Sequence, residues 1–254
     1  MKNLFLFLFL LVVFTSKAQD NRVSGLNSRQ FTKYWKVESE SPDYKVTFQG
    51  DTAEIVSPKG LTLWRKEKMS GKVTIEYDAC VVVESDGDRL SDLNCFWMAS
   101  DPQYPDNLWK REKWRSGIFL NCYSLQLYYL GYGGNHNSTT RFRRYDGDES
   151  GITNPKARPA ILKEYTDAGH LLKPNHWYHI KITNENNRVS YYIDGERLVD
   201  FRDAEPLREG WFGFRTTLSR TRITNFSYEC SSQEATAVPL QWIGETPRQD
   251  KAVS

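Results

Sequence analysis

The chain has 254 residues, of which 34 are basic and 32 acidic, so its formal net charge is only +2. A nucleic-acid-binding protein carries a marked basic excess, and this balance therefore argues against nucleic acid as a partner. Aromatic residues make up 14% of the chain, a content that suits β-strands and also suits sugar binding, because pyranose rings stack on aromatic planes.

The first 19 residues have the pattern of a secretory signal peptide. A basic start at Lys2 is followed by an apolar run over 4–14, too short to span a bilayer, and then by small residues around Ala18. We therefore expect residues 1–19 to be removed, a periplasmic or extracellular location, and no membrane span in the mature chain. The domain is predicted to cover residues 20–230, and residues 231–254 are expected to form a weakly ordered tail.

Strand signals recur along the domain with turn residues between them, and no segment keeps a 3.6-residue apolar period long enough for a major helix. The clearest hairpin has Asp194-Gly195 between two alternating runs. This pattern predicts an all-β, two-sheet β-sandwich. The predicted strands cover 44–48, 52–56, 61–64, 72–83, 92–99, 117–122, 125–131, 139–145, 177–184, 188–193, 196–200, 210–216 and 221–229.

Two long segments, 100–116 and 146–172, are too polar for core strands. Loops of that length usually carry function or cover a groove. The sequence requires no cofactor. The acidic turns at 86–88 and 146–149 have the oxygen density of a structural calcium site, although surface turns explain them equally well.

The four cysteines have wide, unpatterned spacing, which disfavours a zinc site. In an oxidising compartment they allow one or two disulfides, and buried free thiols are an equally good interpretation. The cysteines are Cys80, Cys95, Cys122 and Cys230.

Several segments resemble the opening and closing strands of concanavalin A-like lectin and glucanase domains. The segments are Leu61-Thr-Leu-Trp64, Gly71-Lys-Val-Thr-Ile-Glu-Tyr-Asp78, His176-Trp-Tyr-His-Ile-Lys-Ile182, Tyr191-Tyr-Ile-Asp-Gly195, Pro206-Leu-Arg-Glu-Gly-Trp-Phe-Gly-Phe-Arg215 and Ile223-Thr-Asn-Phe226. The resemblance covers residues 31–230 and is closest to bacterial jelly-roll proteins of polysaccharide utilisation, including 3-keto-disaccharide hydrolase-like and rhamnogalacturonan-system domains. It implies a jelly roll that holds a carbohydrate on the concave face of one sheet. It does not imply one activity, because hydrolases, lyases and lectins share this scaffold.

One strand departs from the laminarinase-type glucanases of this fold. Those enzymes carry three acids on one strand face, two of which flank the glycosidic bond. Here Glu76 and Asp78 are present, but the closing acid is missing. We therefore expect these two carboxylates to be solvent-facing or structural.

Alternation along two other strands predicts a basic, aromatic-lined groove. Arg141, Arg143 and Tyr145 share one strand face, and Trp211 and Arg215 share another. A guanidinium matches a carboxylate in a bidentate geometry, so these faces favour an acidic sugar. An arginine-rich face that is merely solvated and paired with local carboxylates is the alternative.

A glycine-rich loop leads into the arginine strand and brings Asn135 and His136 to its start. His136 is the best candidate for proton transfer, although a histidine in an ordinary turn explains it about as well. Alternation along neighbouring strands adds Asn94 and Tyr128 to the groove, and Trp97 is a candidate stacking platform.

The predicted function is cleavage of an acidic poly- or oligosaccharide by β-elimination. That reaction removes the proton at C5 and expels the C4 oxygen, so it needs a cation on the uronate carboxylate and a proton-transfer residue. The alternatives are hydrolysis of a glycoside or 3-keto-glycoside, and glycan binding without catalysis. The predicted catalytic residues are His136, Tyr145 and Arg143, and the predicted substrate-binding residues are Arg141, Arg215, Asn94, Tyr128, Trp97, Trp211 and Asn135.

Overall fold

The structure is a computed structural model that describes residues 23–231. Within this range it confirms the predicted all-β sandwich. The strands are β1 Val23–Ser24, β2 Trp35–Ser39, β3 Lys45–Gln49, β4 Thr52–Arg65, β5 Met69–Ser70, β6 Lys72–Val81, β7 Leu93–Ser100, β8 Gln126–Gly133, β9 Thr139–Asp146, β10 Lys163–Tyr165, β11 Tyr178–Glu185, β12 Arg188–Ile193, β13 Glu196–Arg202 and β14 Glu209–Ser231.

Helices in this part of the chain are short. The α-helices are α1 Phe31–Tyr34, α2 Glu112–Arg115, α3 Gly134–Asn137 and α4 Ser150–Thr153, and the 3₁₀ turns are Leu108–Arg111, Leu120–Ser124, Pro155–Ala157 and Ala168–His170. Over residues 23–231, none of the helices has the length and apolar character needed to cross a membrane. The predicted signal peptide, and all of the predicted tail except Ser231, lie outside the described residues.

Two long strands, β4 and β14, run through both sheets. The first part of β14 pairs with β7 and with the second part of β4, where Gly213 lies opposite Trp64. Beyond Leu218, which has a left-handed φ of 49°, the register shifts and β14 pairs with β6 and the first part of β4. The strand pairs predicted at 52–56 and 61–64, and at 210–216 and 221–229, are therefore bent halves of continuous strands.

This sharing divides the strands into two layers. The layer that we call the groove sheet has the order β10-β9-β8-β7-β14-β4-β2. The layer that we call the back sheet has the order β3-β4-β14-β6-β11-β12-β13. Between them lies a core in which Trp97, Tyr128, Phe142 and Tyr191 pack against one another.

A second apolar cluster lies on the outer face of the groove sheet, beneath residues 101–124, which we call the arch. The strand predicted at 117–122 is wrong: this stretch ends in the 3₁₀ turn Leu120–Ser124, which presents Cys122 and Tyr123 to the cluster. The arch is fastened at its centre by a buried ion pair between Arg115 and Glu38, 3.0 Å apart. The predicted long loop at 100–116 thus does cover part of a sheet face.

The four cysteines are free, and the buried-thiol interpretation holds for Cys80, Cys95 and Cys122, whereas Cys230 is partly exposed. Cys95 lies in the core between the sheets, and Cys122 lies beneath the arch. Burial raises the pKa of each of these two thiols to about 12. Both therefore stay protonated and act as small apolar side chains.

Candidate functional site

A cleft of about 420 Å³ lies on the outer face of the groove sheet, beside the arch. Four arginines from two strands and one loop line it, together with the carboxylates of Glu40 and Asp92. Phe119 and Tyr123 of the arch form part of its wall. The arginines are Arg89, Arg141, Arg143 and Arg215.

Strand register places the side chains of the floor in rows. One row crosses four strands, because Arg215 pairs with Asn94, Asn94 with Gly131, and Gly131 with Arg141. Since neighbouring strands lie about 4.8 Å apart, the two arginines at the ends of the row are separated by roughly 14 Å at their Cα atoms. The cleft therefore has a cationic group at each end of an uncharged floor.

The hydroxyl of Tyr129 lies over the middle of this row, although Tyr129 itself belongs to the next row, where it pairs with Arg143. Its side chain leans over Gly131: a Cβ added to Gly131 would overlap the Tyr129 hydroxyl and lie 2.8 Å from its Cζ. Burial, and then the nearby charge of Asp92, raise the pKa of Tyr129 well above its ordinary value. Its hydroxyl is therefore protonated at neutral pH and available as a donor.

Two of the four arginines are neutralised by carboxylates. Arg141 bonds to Glu164 of β10 at 2.5 Å, and Arg89 lies 3.0 Å from Asp92. These pairs hold the side chains in place and reduce the net charge at two corners of the cleft. Partly exposed pairs of this kind contribute little net stability.

Arg143 and Arg215 have no carboxylate within 4.0 Å among the described residues. Arg143 donates to the carbonyl of Pro159, and Arg215 donates to the carbonyl of Gly117 at 2.5 Å. Arg215 is only 3% exposed. Glu38 and Glu40 lie near Arg215 but form no direct ion pair with it. A buried cation whose carboxylate neighbours stay beyond ion-pair distance is only partly compensated, so this part of the cleft favours a bound anion.

Five of the predicted site residues come together here. Arg141, Arg143, Arg215, Asn94 and Asn135 all line the cleft. Three strands and the loop before β9 bring them to one surface, as alternation predicted. Their individual roles stay predictions.

Trp97 and Tyr128 are on the opposite face, so their predicted contact with substrate is wrong. They pair with each other across β7 and β8, and both pack against Phe142 in the core. The Tyr128 hydroxyl donates to Asp203 at 2.6 Å. The outward side chain of β8 is Tyr129, one residue later.

Tyr145 and Trp211 do lie on the predicted face, but the arch covers them. Tyr145 is fully buried, and burial raises its pKa well above the ordinary value. Trp211 is 4% exposed, and its indole donates to the carbonyl of Lys66 at 3.1 Å. Neither side chain reaches the cleft, so the predicted catalytic role of Tyr145 and the predicted substrate contact of Trp211 are both wrong.

His136 is exposed on the loop before β9 and does not line the cleft. The loop is strained, since Asn135, His136 and Asn137 all have left-handed φ values between 51° and 57°. Asn137 pins it by bonding both the amide and the carbonyl of Leu172. The predicted pair of His136 and Tyr145 is therefore not assembled in this structure.

Sequence reasoning missed Tyr129, Tyr123 and Phe119 as cleft residues. For Tyr129 a signal existed, because two adjacent tyrosines leave the strand phase open and Gly131 makes room for the second ring. The arch residues gave no signal, since their position depends on how residues 101–124 fold back over the sheet.

The two acidic turns use their oxygens for backbone amides. Asp88 accepts from the amides of Glu84 and Ser85 at 2.7 and 3.0 Å, and Asp148 accepts from that of Ser150 at 2.9 Å. Across residues 23–231, no group of three or more His, Cys, Asp or Glu side chains could hold a metal ion. Asp88 and Asp148 thus use these oxygens to stabilise their own turns, and structural calcium stays a prediction.

The segment 150–172, which we call the strap, borders the cleft and supplies the partners of two arginines. Its far end is held by His170, which lies 2.8 Å from Asp167 and 3.2 Å from Glu196 and stacks on Tyr165. Partial burial lowers the pKa of His170, but the bonds to these carboxylates outweigh it and raise the pKa overall.

We expect the strap to loosen as the pH rises. A histidine with a raised pKa in the folded state stabilises it fully below its unfolded value of about 6.5 and loses that contribution as the pH passes the folded pKa. Hydrogen exchange over residues 163–170, corrected for intrinsic rates, should be faster at pH 8 than at pH 6. In His170→Gln the pH effect should vanish, and in the control His176→Gln it should persist. Equal protection at both pH values would contradict the role of His170 in holding the strap.

The model of a family described as "Domain of unknown function (DUF6250)" matches residues 55–226. A comparison with curated proteins found no match. Many solved structures match, and three of them, each at low identity, are described below.

A protein of unknown function with a galectin-like fold from Bacillus subtilis is 15% identical, with a TM-score of 0.64 over 82% of this chain and 94% of that chain. The carbohydrate-binding module CBM66 from Bacillus subtilis is 16% identical, with a TM-score of 0.51 over 77% and 94%. The exoplasmic/lumenal domain of VIP36, bound to Ca²⁺ and Man3GlcNAc, is 10% identical, with a TM-score of 0.56 over 85% and 91%. At these identities the likeness shows the fold alone, a galectin-like jelly-roll β-sandwich.

Proposed function

The chain belongs to the DUF6250 family, and on that premise we propose that its cleft binds an acidic carbohydrate. The carboxylate of a uronate residue lies between Arg143 and Arg215, and the Tyr129 hydroxyl bonds to the same sugar. Arg141 marks the far end of the binding surface, and Asn135 bonds to a hydroxyl group.

The observation that carries the proposal is the state of Arg215. Its guanidinium is almost fully buried at the cleft floor, yet it meets two neutral oxygens, of Gly117 and Thr62, and no carboxylate within 4.0 Å in the described chain. Glu38 and Glu40 lie nearby without a direct ion pair, and a fixed guanidinium that lacks such a pair matches a planar carboxylate.

The surroundings support a sugar as the rest of the ligand. Phe119 and Tyr123 line the cleft beside polar groups, with Arg215 over the Phe119 ring, and aromatic edges next to polar groups suit a pyranose ring. A carbohydrate-binding module and a domain bound to Man3GlcNAc share the fold, which supports a carbohydrate ligand by analogy.

Binding fits the geometry better than the predicted β-elimination. Elimination needs a base at C5, and of the two predicted proton-transfer residues Tyr145 is beneath the arch and His136 is off the cleft wall. Tyr129 is protonated, so it suits hydrogen bonding to a ligand. A lyase or hydrolase function is the alternative that a product assay separates.

The proposal is tested with wild type and Arg143→Ala on a panel of neutral and uronate oligosaccharides. We expect wild type to bind uronate probes only, and Arg143→Ala to weaken that binding about tenfold or more, because a charged hydrogen bond is lost. The control Arg202→Ala removes the same charge from an exposed site on the back sheet and should leave binding unchanged.

Calorimetry measures affinity in this experiment, and product analysis runs in parallel. Equal affinity of wild type for neutral and acidic probes would contradict the proposal. New unsaturated ends, detected by their ultraviolet absorbance, would assign a lyase, and new reducing ends without unsaturation would assign a hydrolase.

A further inference from the structure

We infer that one corner of the cleft is a subsite for a neutral sugar residue, so that the ligand is a chain in which neutral and uronate residues adjoin. The corner is formed by Arg89, Asp92 and Asn94. The inference rests on the proposed function and names the class of acidic carbohydrate that the cleft takes.

Asn94 has a hydrogen-bond acceptor that nothing satisfies. The residue is 6% exposed, and its Nδ2 donates to Asp92 Oδ1 at 3.2 Å. A carboxylate only accepts, so this bond fixes the amide orientation and turns Oδ1 away from Asp92. That oxygen is buried and has no partner among the described residues. Buried polar atoms in native proteins are almost always bonded, which points to a donor from outside the chain.

Arg89 leaves a donor unsatisfied in the same corner. Its Nη1 donates to the carbonyl of Thr217 at 3.0 Å and lies 3.0 Å from Asp92, which fixes the guanidinium. Its Nε is buried and has no partner in the described chain. The corner thus offers one unmet acceptor and one unmet donor.

The charge of the corner decides the ligand class. Asp92 also accepts from Ser91 Oγ at 2.9 Å, and its negative charge balances that of Arg89. A carboxylate cannot donate to Asn94 Oδ1, and Asp92 repels it. Sugar hydroxyls both donate and accept, and a neutral residue presents them without a carboxylate for Asp92 to repel, so a neutral residue satisfies both unmet atoms best.

The subsite adjoins the arginine site. Asn94 pairs directly with Arg215 across β7 and β14, one strand spacing away. The neighbouring hydroxyl of Tyr129 has no protein hydrogen bond in the described chain, but its ring packs against Phe96, Phe119 and Tyr145, so a ligand reaches Asn94 by displacing that ring. A neutral residue next to the bound uronate therefore reaches this corner.

The test uses two matched pairs of hexasaccharides. Oligogalacturonate is compared with an oligomer that alternates galacturonate and rhamnose, and β-linked oligoglucuronate is compared with hyaluronan, in which glucuronate alternates with N-acetylglucosamine. Both members of a pair contain the same type of uronate, and only one member contains neutral residues as well. Affinities are measured for wild type, Asn94→Leu and Arg89→Met.

We expect wild type to prefer the alternating member of at least one pair, and Asn94→Leu to lose about tenfold in affinity for it while changing the all-uronate affinity less than twofold. Arg89→Met should also reduce the preference for the alternating probe over the all-uronate probe. It provides the test if Asn94→Leu does not fold. The matched control is Asn184→Leu, since Asn184 also has a buried, unpartnered Oδ1 but lies in the back sheet. It should change neither affinity.

Equal losses on both members of a pair would show a merely structural role, and no loss would show a corner filled by water; either overturns the inference. A wild-type preference for all-uronate probes also overturns it. If no acidic probe binds wild type, the proposed function itself fails. Acidic binding that Arg143→Ala abolishes and Asn94→Leu leaves unchanged would instead retain the proposed function and remove only the subsite.

Discussion

Replacing Arg215 with methionine is expected to abolish binding of uronate oligosaccharides while the protein stays folded. Methionine has a similar length but no charge, so it removes the group that meets the carboxylate. Losing one partner of a desolvated, hydrogen-bonded charge pair costs about 2–5 kcal/mol, which corresponds to roughly 30-fold or more in affinity.

The stability of the Arg215→Met variant should differ little from that of wild type. The substitution leaves the Gly117 carbonyl without its donor, but it also removes the cost of burying an unpaired cation. These effects oppose each other, so we expect the free energy of unfolding to change by no more than about 2 kcal/mol. Calorimetry with oligosaccharide and chemical denaturation measure the two quantities separately.

Arg65→Met is the matched control, because Arg65 is equally buried but is paired. It bonds to Glu67 and the carbonyl of Gly25 and lies over the rings of Tyr34 and Trp35. This variant should lose about 1–3 kcal/mol of stability and retain binding. A destabilised Arg215→Met that still binds would mean that Arg215 is structural and that the cleft does not take a carboxylate through it.

Some strands allowed their cleft-facing residues to be predicted from the sequence, and others did not. On β9, Phe142 stands between Arg141 and Arg143, so the shared face of these two arginines was unambiguous, although Arg144 and Tyr145 break the alternation. On β8, tyrosines occupy both faces, and the choice of Tyr128 over Tyr129 put the wrong ring in the cleft. Only the pairing of Tyr129 with Arg143 and Phe96 settles the phase.

Two residues lie on the sheet face that alternation predicted but do not reach the cleft, and tertiary packing is the reason. Tyr145 and Trp211 point outward from the groove sheet, and a rule based on one strand treats such residues as exposed. The arch lies over them because residues 108–125 carry enough apolar side chains to form a second cluster. Those apolar residues were visible in the sequence, but their period was mistaken for a strand at 117–122.

Among substitutions that add one methyl group to the arch, Gly117→Ala is expected to lower the stability of the protein most. Gly117 has φ +70°, and an added Cβ would lie 2.7 Å from Gly60 O, 2.7 Å from Ser39 Cα and 2.8 Å from Glu38 O. All three atoms belong to the backbone and cannot rotate away. A left-handed alanine costs about 1–2 kcal/mol and overpacking a further 1–3.

The consequence reaches the cleft because Gly117 lies between the arch and Arg215. Its carbonyl accepts from Arg215, and the ion pair of Arg115 with Glu38 closes beside it. We expect the midpoint of thermal unfolding to fall by roughly 4–20 °C, at 2–4 °C for each kcal/mol in a domain of this size, and uronate binding to weaken with it. Gly87→Ala is the control, since nothing lies within 4 Å of its added Cβ, and it should leave the midpoint unchanged. If Gly117→Ala unfolds at the wild-type temperature, the arch is not clamped to β2 at this residue, and Arg215 must be positioned by the sheet alone.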